Sequence, residues 1–175
     1  MKLPVITYPN RQLKVISKEV TTFDKKLHTF LDNMYDTMIE SNGIGLAAIQ
    51  VAKPLRVLIL CLADEEGEQS KDELVEMINP KLYDLKGSSL YQEGCLSVPG
   101  FYEDIERYET ITVDYQDRDG NAHTITTDGL YAVAIQHEMD HLEGKLFIEK
   151  LSYIKRKKFE KEYKRALKEK KKNNA

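Results

Sequence analysis

Cysteine is scarce in this chain. Cys61 and Cys95 are the two among 175 residues, too few for a disulfide framework, so both are expected as thiols in a reducing compartment. Cys61 closes the aliphatic run Val57-Leu58-Ile59-Leu60-Cys61-Leu62 and reads as core, because a free cysteine packs as a small hydrophobe. Long apolar runs are missing too. No stretch reaches the roughly 20 residues of a membrane-spanning helix, and the opening Met1-Lys2-Leu3-Pro4-Val5 has no sustained apolar segment or small-residue cleavage site. A cytoplasmic protein without membrane contact is the expectation. Low-complexity tracts are absent, and 41% hydrophobic residues over this length fit one domain with a substantial core. The glycine-containing turn Gly43-Ile44-Gly45 lacks a Gly-Lys-Ser/Thr continuation, which excludes a phosphate loop.

The charge that is present is unevenly divided. Residues 155–175 hold eleven Lys or Arg against Glu160, Glu162 and Glu169, a charge of +8, while residues 1–154 carry −11. An acidic body, 1–154, therefore leads into a basic extension, 155–175. Leu151, Ile154, Phe159, Tyr163, Ala166 and Leu167 recur there at near-helical spacing, predicting an amphipathic helix that frays from Lys170 onward. A solvated basic face is the plainest reading of that helix.

Elsewhere the patterns change along the chain. Leu27, Phe30, Leu31, Met34 and Met38 mark a core-facing helix within 21–41, with Thr22 or Asp24 as its cap and Asn42-Gly43 as its stop. Strands are expected over 56–62 and over 74–78, the second ending at Asn79-Pro80. Ile111, Val113 and Tyr115 alternate with polar residues, and Asp119-Gly120 precedes Thr124-Ile125-Thr126, a hairpin signal. Helices and strands are segregated rather than regularly alternating, so the class is α+β: antiparallel sheets around a central helix, an N-terminal core helix and a C-terminal amphipathic helix. Asp64 to Asp72 is a charged insertion to which the sequence assigns no role.

The central helix carries Gln136-His137-Glu138-Met139-Asp140-His141. Residues four apart share a helix face, so His137 and His141 can grip one metal ion with Glu138 beside it. Two imidazoles leave a catalytic site one protein ligand short. Phe147 stands where one class of metalloprotease places its third histidine, and Glu160 and Glu162, the candidates for a zincin-like protease, lie in the lysine-rich extension. Cys95, among the turn-forming residues Gln92 to Gly100, is the third-ligand candidate; a loop cysteine without metal is the alternative. A closed, structural site in a non-enzymatic ribosome-binding module is a further alternative, which requires a fourth ligand. Asp140 projects away from the histidine pair, and His28 and His123 read as ordinary residues of a core helix and an exposed hairpin.

Three segments, in order, resemble the bacterial peptide deformylases: Gly43-Ile44-Gly45-Leu46-Ala47-Ala48-Ile49-Gln50, Glu93-Gly94-Cys95-Leu96-Ser97, and Gln136 to His141. The opening Tyr8 to Leu13 is similar to that family's usual start, although Asn10 stands where Asp is common. The resemblance implies metal-dependent hydrolysis of the formyl group on the N-terminal methionine of nascent chains. It implies Cys95, His137 and His141 as metal ligands, Glu138 as the proton-transfer group, and the Gln50 side chain with the Leu96 backbone N–H as oxyanion donors. It suggests that Ile44, Leu130, Val133 and Ala134 line a methionine pocket, with Gly43 and Gly45 allowing an extended substrate to approach the main chain. A Glu93–Arg107 pair is expected to brace the Cys95 segment. Fe2+ is the expected ion, with Zn2+, Ni2+ or Co2+ as the others a purified sample could carry. A monomer is expected, with its basic helix docked on ribosomal RNA.

Overall fold

The computed structural model describes residues 1–174. The chain runs α1 (Lys25–Glu40), β1 (Gly45–Ala47), β2 (Val57–Leu60), β3 (Val75–Lys86), β4 (Ser89–Cys95), β5 (Val98–Arg107), β6 (Thr110–Gln116), β7 (Ala122–Asp128), α2 (Gly129–Leu142) and α3 (Tyr153–Asn173). The strands form a five-stranded antiparallel sheet, ordered β1-β2-β3-β6-β7, and a separate β4-β5 ribbon. This is the α+β architecture expected from the segregated patterns.

Strand β2 lies between two helices. Val57 and Ile59, with Cys61 beyond the strand, join Leu31, Met34 and Met38 of α1 in one core cluster. Leu58 and Leu60 join Ala132, Ile135, Met139 and Leu142 of α2 in another. Successive strand residues point to opposite faces, and here both faces are covered, so the sequence shows a continuous apolar run instead of alternation. The Asp24 carboxylate accepts the Leu27 N–H at 3.0 Å and caps α1. Asp128 occupies the cap position of α2 without making a side-chain bond.

A third cluster joins the ribbon to the last helix: Val98, Phe101 and Ile105 of β5 pack with Leu13, Phe147, Ile148 and Phe159. Phe159 is the one buried residue of α3. Ile154 and Leu167 are exposed, so the apolar stripe is narrower than its spacing predicts. The helix also continues through the lysines to Asn173 instead of fraying at Lys170; Ala175 lies outside the described residues.

Two strand expectations need correction. Strand β3 does not stop at Asn79-Pro80; its register shifts between Ile78 and Lys81, and pairing with β6 resumes. Asn79 adopts a left-handed φ of 52°, and its side-chain amide exchanges two 2.8 Å hydrogen bonds with the Val20 backbone. A bulge absorbs the proline, which has no N–H for the ladder. Residues 92–100 lie mostly within the β4-β5 ribbon where a loop was expected, because Gly94, Pro99 and Gly100 obscure the strand pattern. Asn10, in place of the more usual Asp, still accepts the Gln12 N–H at 2.9 Å and caps the turn that follows.

The β6-β7 turn generates a pH prediction. The hydrogen bond from His123 holds the Asp117 carboxyl at about 2 against an ordinary 3.8; slight burial opposes it, and the Asn121 and Asp119 N–H groups add to the lowering. A carboxyl depressed in the folded state contributes stability that is complete above about pH 4 and disappears as pH falls toward 2. With solvent screening, Asp117→Asn should cost about 1 kcal/mol near pH 6 and almost nothing at pH 2. Urea unfolding at the two pH values checks this, and an equal cost at both refutes it.

Candidate metal centre

Helix α2 is buried along most of its length, including His137, Glu138 and His141. Ionisable side chains seldom occupy a core unless each has a partner or a task. The two histidines lie one turn apart with ring centroids 5.0 Å from each other. From the ribbon, Cys95 Sγ approaches His141 Nε2 to 3.5 Å. One donor atom each from Cys95, His137 and His141 lie within 4.8 Å of one another, the one such metal-capable cluster among the described residues. The ladder register jumps between Glu93 and Cys95, and such an irregularity re-aims a strand side chain.

Partners fix these groups. Glu93, two residues before Cys95, accepts from His137 Nδ1 at 2.8 Å and receives Arg107 through two 2.8 Å bonds. Arg107 also donates to Asp140 at 2.6 Å. The expected Glu93–Arg107 brace is therefore present and reaches farther than anticipated. Asp140 does point away from the histidine pair, but toward Arg107. Four residues before it, Gln136 exchanges bonds of 3.0 and 2.9 Å with the Tyr108 backbone. The hexapeptide thus has two i,i+4 pairs: one for the centre and one holding the end of β5. That second spacing was the available signal for Gln136 and Asp140.

Burial opposes ionisation of Glu93, yet the hydrogen bonds from Arg107 and His137 outweigh it and keep the carboxyl below its usual range. Burial lowers His137 as well, while hydrogen bonds to Cys95 and Glu93 hold it well above the ordinary histidine value. Burial, followed by repulsion from His137 and Arg107, depresses His141. Burial pushes Glu138 up to about 7 against the pull of His137. Glu138 Oε1 lies 3.8 and 4.0 Å from the two histidine Nε2 atoms, and its Oε2 is buried without a hydrogen-bond partner.

This arrangement suits a divalent ion. A tetrahedral ion about 2.3 Å from sulfur and about 2.0–2.1 Å from nitrogen holds such donors about 3.5 Å apart, matching the Cys95–His141 separation. Glu93 occupies the far nitrogen of His137, as outer partners of metal ligands commonly do. Three protein donors with a non-ligating carboxylate alongside are the pattern of an open hydrolytic site. Phe147, at the position of the missing third histidine, packs against the His137 ring at 5.9 Å between centroids. Glu160 pairs with Lys157 at 3.4 Å, His28 with the Arg118 carbonyl and His123 with Asp117.

The centre opens into a cavity of about 550 Å³, lined by Gly43, Ile44, Gly45, Gln50, Leu96, Leu130, Val133, Ala134, His137 and Glu138 among others. All six predicted pocket residues thus reach one cavity. Tyr102, Pro99 and Leu60 also line it and were not anticipated. A Cβ on Gly45 would stand 2.9 Å from Leu60 and 3.2 Å from the Glu138 carboxyl carbon; one on Gly43 would meet Leu96 at 2.8 Å. Neither glycine has positive φ, so close approach explains both. The charged insertion contributes Gln69, whose Nε2 donates to the Gly43 carbonyl at 2.9 Å and the Cys61 carbonyl at 2.7 Å. It ties down this edge of the cavity.

Sequence and fold comparisons agree with this geometry. Residues 2–157 match the family model described as polypeptide deformylase. A peptide deformylase of Nautilia profundicola is 56% identical over 170 residues, 97% of this chain and 98% of the relative; one from Helicobacter pylori is 56% identical over 169, 97% of each. A crystal structure of the Legionella pneumophila peptide deformylase superposes with a TM-score of 0.86 at 38% identity, over 95% of this chain and 98% of that one. With the Cys95–His137–His141 cluster beneath a cavity, an extended sequence match and the same fold, the chain belongs to the polypeptide deformylase family.

Proposed function

We propose that Cys95, His137 and His141 hold one divalent ion and that Glu138 moves the proton in this chain's reaction. As a member of its family the chain is a hydrolase that removes N-formyl groups in a metal-dependent reaction. Its substrate is the N-terminal formylmethionine of newly made polypeptides. The observation that carries the residue assignment is the buried, unpartnered Glu138 Oε2 beside three donor atoms at the floor of a cavity.

Held by these donors, the ion supplies Lewis acidity, lowering the pKa of water toward neutrality and polarising a carbonyl oxygen. Glu138 accepts a proton from the attacking water as its oxygen bonds to the formyl carbon. It returns that proton to the amide nitrogen as the C–N bond breaks, releasing formate and a free amine. The Gln50 amide and the Leu96 N–H donate to the oxyanion that forms between these steps. Ile44, Leu130, Val133 and Ala134 receive the methionine side chain, and the chain segment at Gly43 and Gly45 pairs with an extended substrate. A formyl-methionyl peptide should release formate while its acetyl counterpart does not. Glu138→Gln and Gln50→Ala should keep their metal and lose about 10²–10³-fold in kcat; general peptidase activity, or full turnover in metal-replete variants, overturns the assignment.

The mixed sulfur and nitrogen donor set accepts several soft divalent ions, and Fe2+ is our assignment, with Zn2+, Ni2+ or Co2+ as substitutes. Purified without oxygen, the enzyme should hold one iron per chain and lose activity in air as iron and Cys95 oxidise. Air-stable full activity with zinc as the sole ion argues against iron.

Residues 1–154 form the catalytic domain and 155–175 its helical extension, rooted in the core by Phe159. Among the described residues no helix is long and apolar enough to cross a membrane; we assign the chain to the cytoplasm, acting as a monomer, since one chain supplies every residue of the site. The basic face of α3 docks on ribosomal RNA and keeps the enzyme near its substrate. Deleting residues 165–175 leaves Phe159 and Tyr163 in place and removes five cations. Formate release should persist while ribosome binding weakens and loses much of its salt dependence. Unchanged binding rejects the docking role.

A further inference from the structure

We propose that Ser97 is a positioning residue that fixes the direction of the Gln50 amide by holding one of its two hydrogens. The inference rests on the reading of Gln50 as an oxyanion donor. Gln50 is buried, and its Oε1 accepts the Ala47 N–H at 2.9 Å, which settles which end of the amide is nitrogen. That nitrogen lies 3.1 Å from Ser97 Oγ and 3.5 Å from Cys95 Sγ. Ser97 Oγ is also 2.8 Å from the Ile6 carbonyl. A carbonyl only accepts, so the one hydroxyl proton of Ser97 goes to Ile6, and the serine oxygen must accept from Gln50.

The polarity of the whole chain follows. Ala47 N–H donates to Gln50, Gln50 to Ser97, and Ser97 to Ile6. One amide hydrogen of Gln50 is thereby held inward, and the other is directed to the Cys95 side, where the reaction takes place. Ser97 has no exposed surface and is not among the residues lining the cavity. Its own backbone N–H faces Cys95 Sγ at 3.4 Å, a contact independent of the hydroxyl.

The N-terminal segment closes this arrangement from outside. Ile6 N–H donates to the Gln50 carbonyl at 2.8 Å and Tyr8 N–H to the Ser97 carbonyl at 2.7 Å. Residues 6–8 therefore hold the backbones of both partners while the Ile6 carbonyl terminates the side-chain relay. A segment far from the metal motif in sequence sets the orientation of a group next to it.

The test is a double-mutant cycle on the metal-loaded full chain, with metal content and melting temperature measured alongside kinetics. Ser97→Ala keeps the backbone contact to Cys95 and removes the acceptor for Gln50. We expect its kcat to fall about tenfold, with KM and metal content unchanged, and Ser97→Thr to restore turnover. In a Gln50→Ala background, Ser97→Ala should cause no further loss, because the group it orients is gone. Multiplying losses in the double mutant, full turnover in Ser97→Ala, or loss of metal from that variant would overturn the proposal. Wild-type turnover in Gln50→Ala alone would overturn the underlying role of Gln50, an outcome distinct from the others.

Discussion

A carboxylate and two imidazoles packed inside a core helix must each exchange water for another partner, and that requirement organises the molecule. Arg107 meets part of it indirectly, by holding the Glu93 carboxylate that accepts from His137. Its two bonds to Glu93 and one to Asp140 link the cysteine-bearing ribbon to both ends of the His-Glu-x-x-His turn. Removing one member of such a network strands a buried charge, which costs roughly 3–5 kcal/mol. The network therefore specifies which strand lies beside the helix, and so which sulfur meets which nitrogen. Two exceptions mark the centre: Glu138 Oε2 and His141 Nδ1 both remain buried without a hydrogen-bond partner.

Much of this was legible in the amino-acid order because it depends on local spacing. His137 and His141 share a helix face by geometry alone, and the helix at Leu27 to Met38 and the hairpin at Asp119-Gly120 are set by short-range patterns. Cys95 could be nominated because the motif lacked a ligand. What remained illegible depends on distant contacts. Nothing near Pro80 announces that Asn79 will bond Val20 and carry the strand through a bulge. Glycines at 94 and 100 conceal a ribbon whose regularity comes from its partner strand, and Gln69 is an unremarkable polar residue until folding brings it to Gly43.

The two glycines at the edge of the cavity show how one constraint yields different sequence signals. Gly43 lies against Leu96 and Gly45 against Leu60 and Glu138. In both places a missing side chain lets the backbone at and just before β1 line the cavity. Gln69 complements this from behind by binding two carbonyls at the end of the β1-β2 ladder. Backbone groups left without ladder partners would otherwise need water or another donor, so the charged insertion supplies what the short strand lacks.

A two-stranded ribbon is marginally stable by itself, yet this one carries a metal-ligand candidate whose position must hold to a fraction of an ångström. Its second anchor is apolar. Phe101 packs at 4.8 Å between ring centroids against Phe159 of α3 and stacks at 6.2 Å on Phe147, which in turn lies beside the His137 ring. The root of the basic helix is thus part of the wall behind the histidine, while its distal turns carry most of their charge into solvent. A substitution at Phe159 would disturb the cysteine ribbon; one at Lys168 would leave it untouched. The extension consequently divides within a single helix, with structural support for the site in its first turns and its electrostatic surface beyond them.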